Sequence, residues 1–135
     1  MTKSREPEWL LIEAVLAVQK MLIAEYGGAT GVRDRRLLES ALARPQNLFG
    51  YEDFKPPLAR LAASYAFGLA KNHPFVDGNK RTALASCLAF LWLNDREVIA
   101  NPKALTDLVL GVARGEAAKS DVAVFLKRYG QKVRR

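Results

Sequence analysis

Ala83-Leu-Ala-Ser-Cys-Leu-Ala-Phe-Leu-Trp92 decides the fold. Ala83, Leu84, Cys87, Leu88, Leu91 and Trp92 recur at helical spacing, and the residues between them are also mostly apolar. A helix greasy around nearly its whole circumference must be enclosed by others, so this segment is expected to be the central helix of a bundle. It is too short, and too closely bounded by Asn79-Lys-Arg81 and Asn94, to cross a membrane.

Outward from it, apolar residues keep the 3.6-residue period and nowhere alternate for long, which gives an all-α class of about six helices in a single domain over residues 1–135. Leu11, Val15, Val18, Leu22 and Tyr26, with Ile12, Leu16 and Ile23 beside them, form a first stripe that stops at Gly27-Gly28. Asp34 caps a second helix carrying Leu37, Leu38, Ala41 and Leu42. That helix is expected to end near Arg44, because Pro45 follows, leaving Gln46 to Lys55 as a loop. Pro56-Pro57 opens a third helix through Leu58, Leu61, Tyr65 and Leu69 to Asn72, and the enclosed helix begins near Asn79. Asn101-Pro102 starts a fifth, closed by Gly115, and Ser120 is expected to cap a sixth with Val122, Phe125, Leu126 and Tyr129. Residues 1–7 and 130–135 read as frayed ends.

The chain has 135 residues, 50% hydrophobic and 26% charged, the composition of one globular domain. No cleavable leader is evident at Met1-Thr-Lys-Ser-Arg5, so a cytoplasmic location is expected. With one cysteine and one histidine, an internal disulfide and a Cys/His zinc site are excluded, and Cys87 reads as core filling. The net charge of +7 favours anionic partners, although part of the excess sits in Lys127-Arg128 and Lys132-Val-Arg-Arg135, which reads as a solvated basic end. Aromatic residues fall on helix core faces without a stacking platform, so direct nucleic-acid recognition has little support.

Chemistry concentrates in Asn72-His-Pro-Phe-Val-Asp-Gly-Asn-Lys-Arg-Thr82, a connector far more polar than a turn requires. Pro74 and Gly78 shape the turn, and the N–H groups at Gly78, Asn79 and Lys80 face out from the start of a helix, a ready phosphate cradle. Lys80 and Arg81 put cations at a helix end that favours anions, which makes sense when a polyphosphate is there to meet them. Asp77 would repel bare phosphate but suits a magnesium ion bridging phosphate oxygens. A free imidazole ionises near pH ~6.5 and can accept a proton at cellular pH, which makes His73 the candidate general base. Alone, His73 could simply end one helix and Asp77 begin the next; together with Asn79, Lys80 and Arg81 they have a common purpose.

His73-Pro-Phe-Val-Asp-Gly-Asn-Lys-Arg81 closely resembles the Fic motif, HPFx(D/E)GN(G/K)R, and the chain from about Leu10 to Tyr129 resembles the Doc (death-on-curing) toxins, including Gly31-Val-Arg-Asp34 and Leu37-Leu-Glu-Ser-Ala41. The resemblance implies a single-domain Fic/Doc-like bundle in which His73 deprotonates a target hydroxyl and Asp77 organises magnesium. It further implies that Gly78, Asn79, Lys80 and Arg81 bind the phosphates of ATP, while Pro74 and Phe75 anchor the loop. Asn47-Leu-Phe-Gly-Tyr51 stands where the family has a target-docking flap that adds a strand to the target. Lys80, where adenylyltransferases usually carry glycine, and Leu84, where they carry a second arginine, resemble the Doc branch; Gly78 resembles the Fic type.

By that resemblance the expected function is a toxin of a type II toxin–antitoxin system, a kinase passing the γ-phosphate of ATP to a threonine of elongation factor Tu and so inhibiting translation. Adenylyl transfer is the alternative, and a nonenzymatic basic module binding RNA or the ribosome is a third reading. The inhibitory pattern [S/T]-x-x-x-E-[G/N] has no match, its nearest approach being Ser4-Arg-Glu-Pro-Glu8 followed by Trp9. Restraint is therefore expected from a Phd-like antitoxin whose acidic segment suits a basic toxin. A serine hydrolase is discounted for want of a Gly-x-Ser-x-Gly elbow.

Overall fold

The computed structural model describes residues 6–51 and 55–133. Six helices follow in order: α1 (Ile12–Tyr26), α2 (Arg35–Tyr51), α3 (Leu58–Asn72), α4 (Asn79–Leu93), α5 (Pro102–Ala113) and α6 (Lys119–Tyr129). Two short strands, β1 (Arg96–Val98) and β2 (Gly130–Lys132), form an antiparallel ribbon pairing Arg96 with Lys132 and Val98 with Gly130. The architecture is the all-α bundle the periodicity implies, with this ribbon added.

Helices α3 and α4 are the central pair. α3 packs on α2, α4, α5 and α6, while α4 also meets α1 and α5. Alanines at 62, 63, 66 and 70 and Gly68 let neighbouring backbones close in on α3. A Cβ on Gly68 would stand 3.3 Å from Ala41 of α2, so this crossing leaves little room for a larger side chain. Tyr65, Phe90, Leu61, Leu69 and Leu38 fill the space between the helices, Tyr65 and Phe90 with ring centres 5.0 Å apart. Trp92 and Leu93, at the far end of α4, emerge half exposed, so the apolar run is enclosed along most of its length and not all of it. On α1 the buried face is Val15, Gln19 and Ile23, and the expected stripe members Leu11 and Tyr26 lie mainly in solvent.

The second helix does not stop at Arg44. Pro45 lies buried inside α2, and the helix continues through Asn47, Leu48, Phe49 and Gly50 to Tyr51. An interior proline sacrifices one backbone hydrogen bond at a cost of ~3 kcal/mol or more. Packing of Leu48 and Phe49 against the core offsets it, with Phe49 edge-on to Trp9 at 5.7 Å between centres. Lys55 closes the end by donating to the Phe49 carbonyl (3.0 Å). The flap segment 47–51 is thus helical, with its N–H groups engaged in the helix and not in the extended form an added strand needs; residues 52–54 lie outside the described residues.

Asn101 caps α5 as expected, accepting from the Lys103 N–H (2.8 Å). α6 starts two residues earlier than its sequence suggests. Ala118 is the N-cap, and the Asp121 carboxylate accepts the Ala118 N–H (2.8 Å), leaving Ser120 without the capping role. The C-terminal segment is ordered through Val133, whose side chain is buried and whose N–H donates to the Asp95 carbonyl (2.9 Å). Gly130 is needed where α6 turns into β2, since a Cβ there would fall 2.6 Å from the Leu126 carbonyl oxygen. Residues 130–133 of the basic end expected to fray are therefore ordered, while 134–135, like 1–5 with Ser4, lie outside the described residues.

Cys87 is a core residue. Burial pushes its thiol up to about 12, and burial likewise pushes the Tyr65 phenol to about 12 despite the Leu10 N–H that it accepts. Both groups hold their protons more tightly when folded, so their contribution is complete below their ordinary values and disappears as pH climbs towards 12. Denaturant titrations are expected to show stability declining from about pH 9 upward, less steeply in Cys87→Ala. Native protein at pH 8 should resist thiol alkylation, with labelling of Cys87 appearing only on unfolding.

Candidate active site

The site is the connection from α3 to α4. His73 ends α3 in the left-handed conformation (φ 52°), turning the chain so that the last carbonyls of α3 point away from the helix. Arg33 collects them: its Nε donates to the His73 carbonyl (2.8 Å) and its guanidinium NH2 to the Asn72 carbonyl (3.0 Å). The segment Gly31–Asp34 then runs antiparallel to the loop. Arg33 and Asp34 N–H groups both donate to the Pro74 carbonyl (2.7 and 3.0 Å), Val76 N–H donates to Gly31, and Val32 bridges Phe75. Pro74 and Phe75 are buried, as an anchor requires.

Asn79 stands beneath this loop, 4% exposed. Its Oδ1 accepts the Phe75 N–H (2.8 Å), and its Nδ2 donates to the Phe75 carbonyl (3.0 Å) and approaches His73 Nδ1 (3.1 Å). Its carboxamide is spent inside the protein, so the side chain is not a phosphate ligand; only the Asn79 backbone N–H can serve in that way. Because Phe75 fixes which end of the amide is oxygen, the end facing His73 is the donor. Nδ1 therefore supplies the lone pair, and the neutral ring carries its proton on Nε2.

At the start of α4, Gly78 occupies the N-cap with φ 75°, no side chain caps the helix and no carboxylate sits in the first turn. Lys80 and Arg81 are exposed, and neither forms a hydrogen bond or ion pair with a described residue. This leaves open N–H groups and two cations around one point. A Cβ at Gly78 would lie 3.2 Å from Cδ1 of Ile23, and one at Gly28 would lie 3.1 Å from the same methyl, so α1 closes off the loop from behind. Asp77 is held by the same corner: its Oδ2 accepts the Ala29 N–H (2.7 Å), and its carbonyl accepts from buried Gln19 Nε2 (3.1 Å). Oδ1 has no partner among the described residues.

His73, Asp77, Gly78, Asn79, Lys80 and Arg81 line one cleft of about 490 Å³, within the range of nucleotide-sized sites. Its other wall is mostly apolar, built from Val76, Leu84 and, on α5, Thr106, Val109 and Leu110. Thus the expected phosphate-site residues converge, whereas Asn47–Tyr51 do not line this cleft. Sequence reading missed Gln19, Tyr26, Ala29, Arg33 and the α5 wall. Gln19 had a visible signal, a polar residue midway between Val15 and Ile23 on the buried face of α1.

With the bundle and this cleft described, comparison with known families gives a match: the Fic/DOC family profile fits residues 9–91. The chain belongs to the Fic/Doc family. It is 40% identical over 119 residues to the protein kinase doc of Escherichia phage P1, covering 87% of this chain and 93% of that protein. It is also 45% identical over 76 residues to toxin Doc of Mycolicibacterium smegmatis (strain ATCC 700084 / mc(2)155), covering 56% of this chain and 58% of that one.

Nitrogen-detected NMR of the ligand-free protein is expected to find His73 predominantly protonated at Nε2. Asn79→Ala should mix the tautomers and lower stability by about 1–3 kcal/mol, because the Phe75 peptide group loses both partners in a buried setting.

Proposed function

We propose that this chain is a Doc-type toxin that works as an ATP-dependent protein kinase, passing the γ-phosphate to a threonine hydroxyl of elongation factor Tu and thereby inhibiting translation in the cytoplasm. One observation carries the reading: His73, Asp77, Lys80 and Arg81 share a cleft at an uncapped helix start. The name of the phage relative, a protein kinase, supports phosphoryl over other group transfer.

In this reading the backbone N–H groups of Gly78, Asn79 and Lys80 receive the phosphates, Arg81 grips two oxygens at once, and Lys80 follows the charge as it shifts during transfer. Asp77 would hold magnesium, which neutralises phosphate charge when bound. The fit is good, because Oδ1 is uncommitted and one carboxylate with phosphate oxygens is an ordinary magnesium environment. No group of three His, Cys, Asp or Glu side chains suited to a metal occurs among the described residues, so the other positions around the ion would fall to phosphate oxygens and water. His73 takes the threonine proton as the hydroxyl oxygen bonds to the γ-phosphorus and the bond to the bridging oxygen breaks, releasing ADP. For Nε2 to accept that proton, the ring proton must pass to Nδ1 and the Asn79 contact must yield. Val76, Leu84 and the α5 wall offer the base and ribose an apolar surface.

Adenylyl transfer has one specific observation in its favour, the open left-handed Gly78. Lys80 and Leu84 weigh against it, filling with a cation and a hydrocarbon the places that resemble glycine and arginine in adenylyltransferases. Restraint by a Phd-like antitoxin suits the surface as well as the charge of +7. A groove of about 380 Å³ between the start of α3 and α6 is lined by apolar Pro57, Ala59, Ala123 and Val124 together with Lys119 and Lys127, a match for an acidic amphipathic segment.

Incubation with elongation factor Tu, magnesium and γ-labelled ATP is expected to label a threonine, with a loss of at least about a hundredfold in rate for His73→Ala. Label arriving from the α-position would establish adenylyl transfer instead. Undiminished toxicity of His73→Ala would favour the nonenzymatic module.

A further inference from the structure

Tyr26 has no assignment in the site so far, yet it touches the site's strongest cation. It is the last residue of α1, and its ring lies under the Arg81 guanidinium, 4.1 Å from centroid to Cζ. The ring is 55% exposed, more than an aromatic kept for packing, and Gly27 turns the chain immediately after it. A hydrogen-bonding partner would hold Arg81 by consuming donors. An aromatic face holds it through the flat surface of the cation and leaves every N–H at the edge available. The Arg81 side chain forms no hydrogen bond or ion pair with any described residue, so among them the Tyr26 ring is what orients its guanidinium.

The same corner makes three further grips on the loop: Gln19 on the Asp77 carbonyl, Ala29 on the Asp77 carboxylate, and Ile23 against Gly78. Asp77 and Arg81 are therefore both set from α1 and the turn that follows it. We propose that Tyr26 is a positioning residue for the nucleotide, presenting Arg81 edge-first to the triphosphate. It rests on the reading of the cleft as a nucleotide site, and it concerns binding and orientation, with no role in proton transfer. The aromatic face is what matters, and the phenol oxygen is dispensable.

Titration calorimetry of the full chain with magnesium and a non-hydrolysable ATP analogue tests this through a double-mutant cycle. Tyr26→Leu is expected to weaken binding about two- to fivefold, the size of a partly exposed cation–π contact. Tyr26→Phe should bind within about twofold of wild type, and in an Arg81→Gln background Tyr26→Leu should change nothing. With elongation factor Tu as substrate, KM for ATP should rise in Tyr26→Leu while kcat holds, and the melting midpoint should be unchanged. Equal weakening by Tyr26→Leu with and without Arg81, or none in either, overturns the assignment while leaving the nucleotide site standing. A wild-type protein that takes up no nucleotide overturns both.

Discussion

A single carboxamide holds the site in register. Asn79 returns the N–H and C=O of Phe75 and meets the His73 ring, from a position that is almost completely buried. Those contacts tie the first residue of α4 to the residue that ends α3, fixing the distance between the ring and the helix start. A polar group so deep is tolerated because its donor and acceptor ends are all matched; the same amide with one partner missing would cost more than it gives. The loop around it needs no secondary structure of its own, being splinted by the segment from Ala29 to Asp34, which bonds to Pro74, Val76 and Asp77, and by Gln19 of α1 on the Asp77 carbonyl.

This division of labour explains the shape of the chemistry. Buried groups, namely Asn79, Gln19 and Phe75, determine where the loop runs, while the exposed ones, Asp77, Lys80 and Arg81, are left with free valences towards the cleft. The central pair α3 and α4 provides a rigid base, since small residues bring the backbones together and large ones lock the remaining gaps. No described side chain balances Lys80 and Arg81, and the nucleotide proposed above would, which accounts for cations at a helix start that a purely structural design would furnish with Asp or Glu.

Much of this was legible in the chain. Helix periodicity, the glycine pair at 27–28, Asn101-Pro102 and the polar run 72–82 located most elements and the cleft, because each signal is local. What escaped was set by tertiary contact. Pro45 is a local stop signal that Leu48 and Phe49 override by packing, turning an expected loop into two more turns of helix. The ribbon of Arg96–Val98 with Gly130–Lys132 is too short to show alternation, and it pairs segments far apart in sequence. Asn79 reads from the sequence as a backbone N–H of the phosphate cradle; the separate task of its side chain escapes that reading, because only the three-dimensional position of Phe75 turns the carboxamide inward. Arg33 stood in a quoted motif without a task, since nothing local marks the carbonyls it collects.

The methyl of Ile23 that presses on both Gly28 and Gly78 constrains descent as well as structure. An alanine at 78 would have to pay the left-handed backbone penalty of about 1 kcal/mol and also find room that Ile23 denies it. A lineage can therefore exchange that glycine where the Ile23 methyl gives way by a few tenths of an ångström, most easily once position 23 carries a smaller side chain. Positions 23 and 78 should drift as a pair through the history of the domain, although more than fifty residues separate them along the chain.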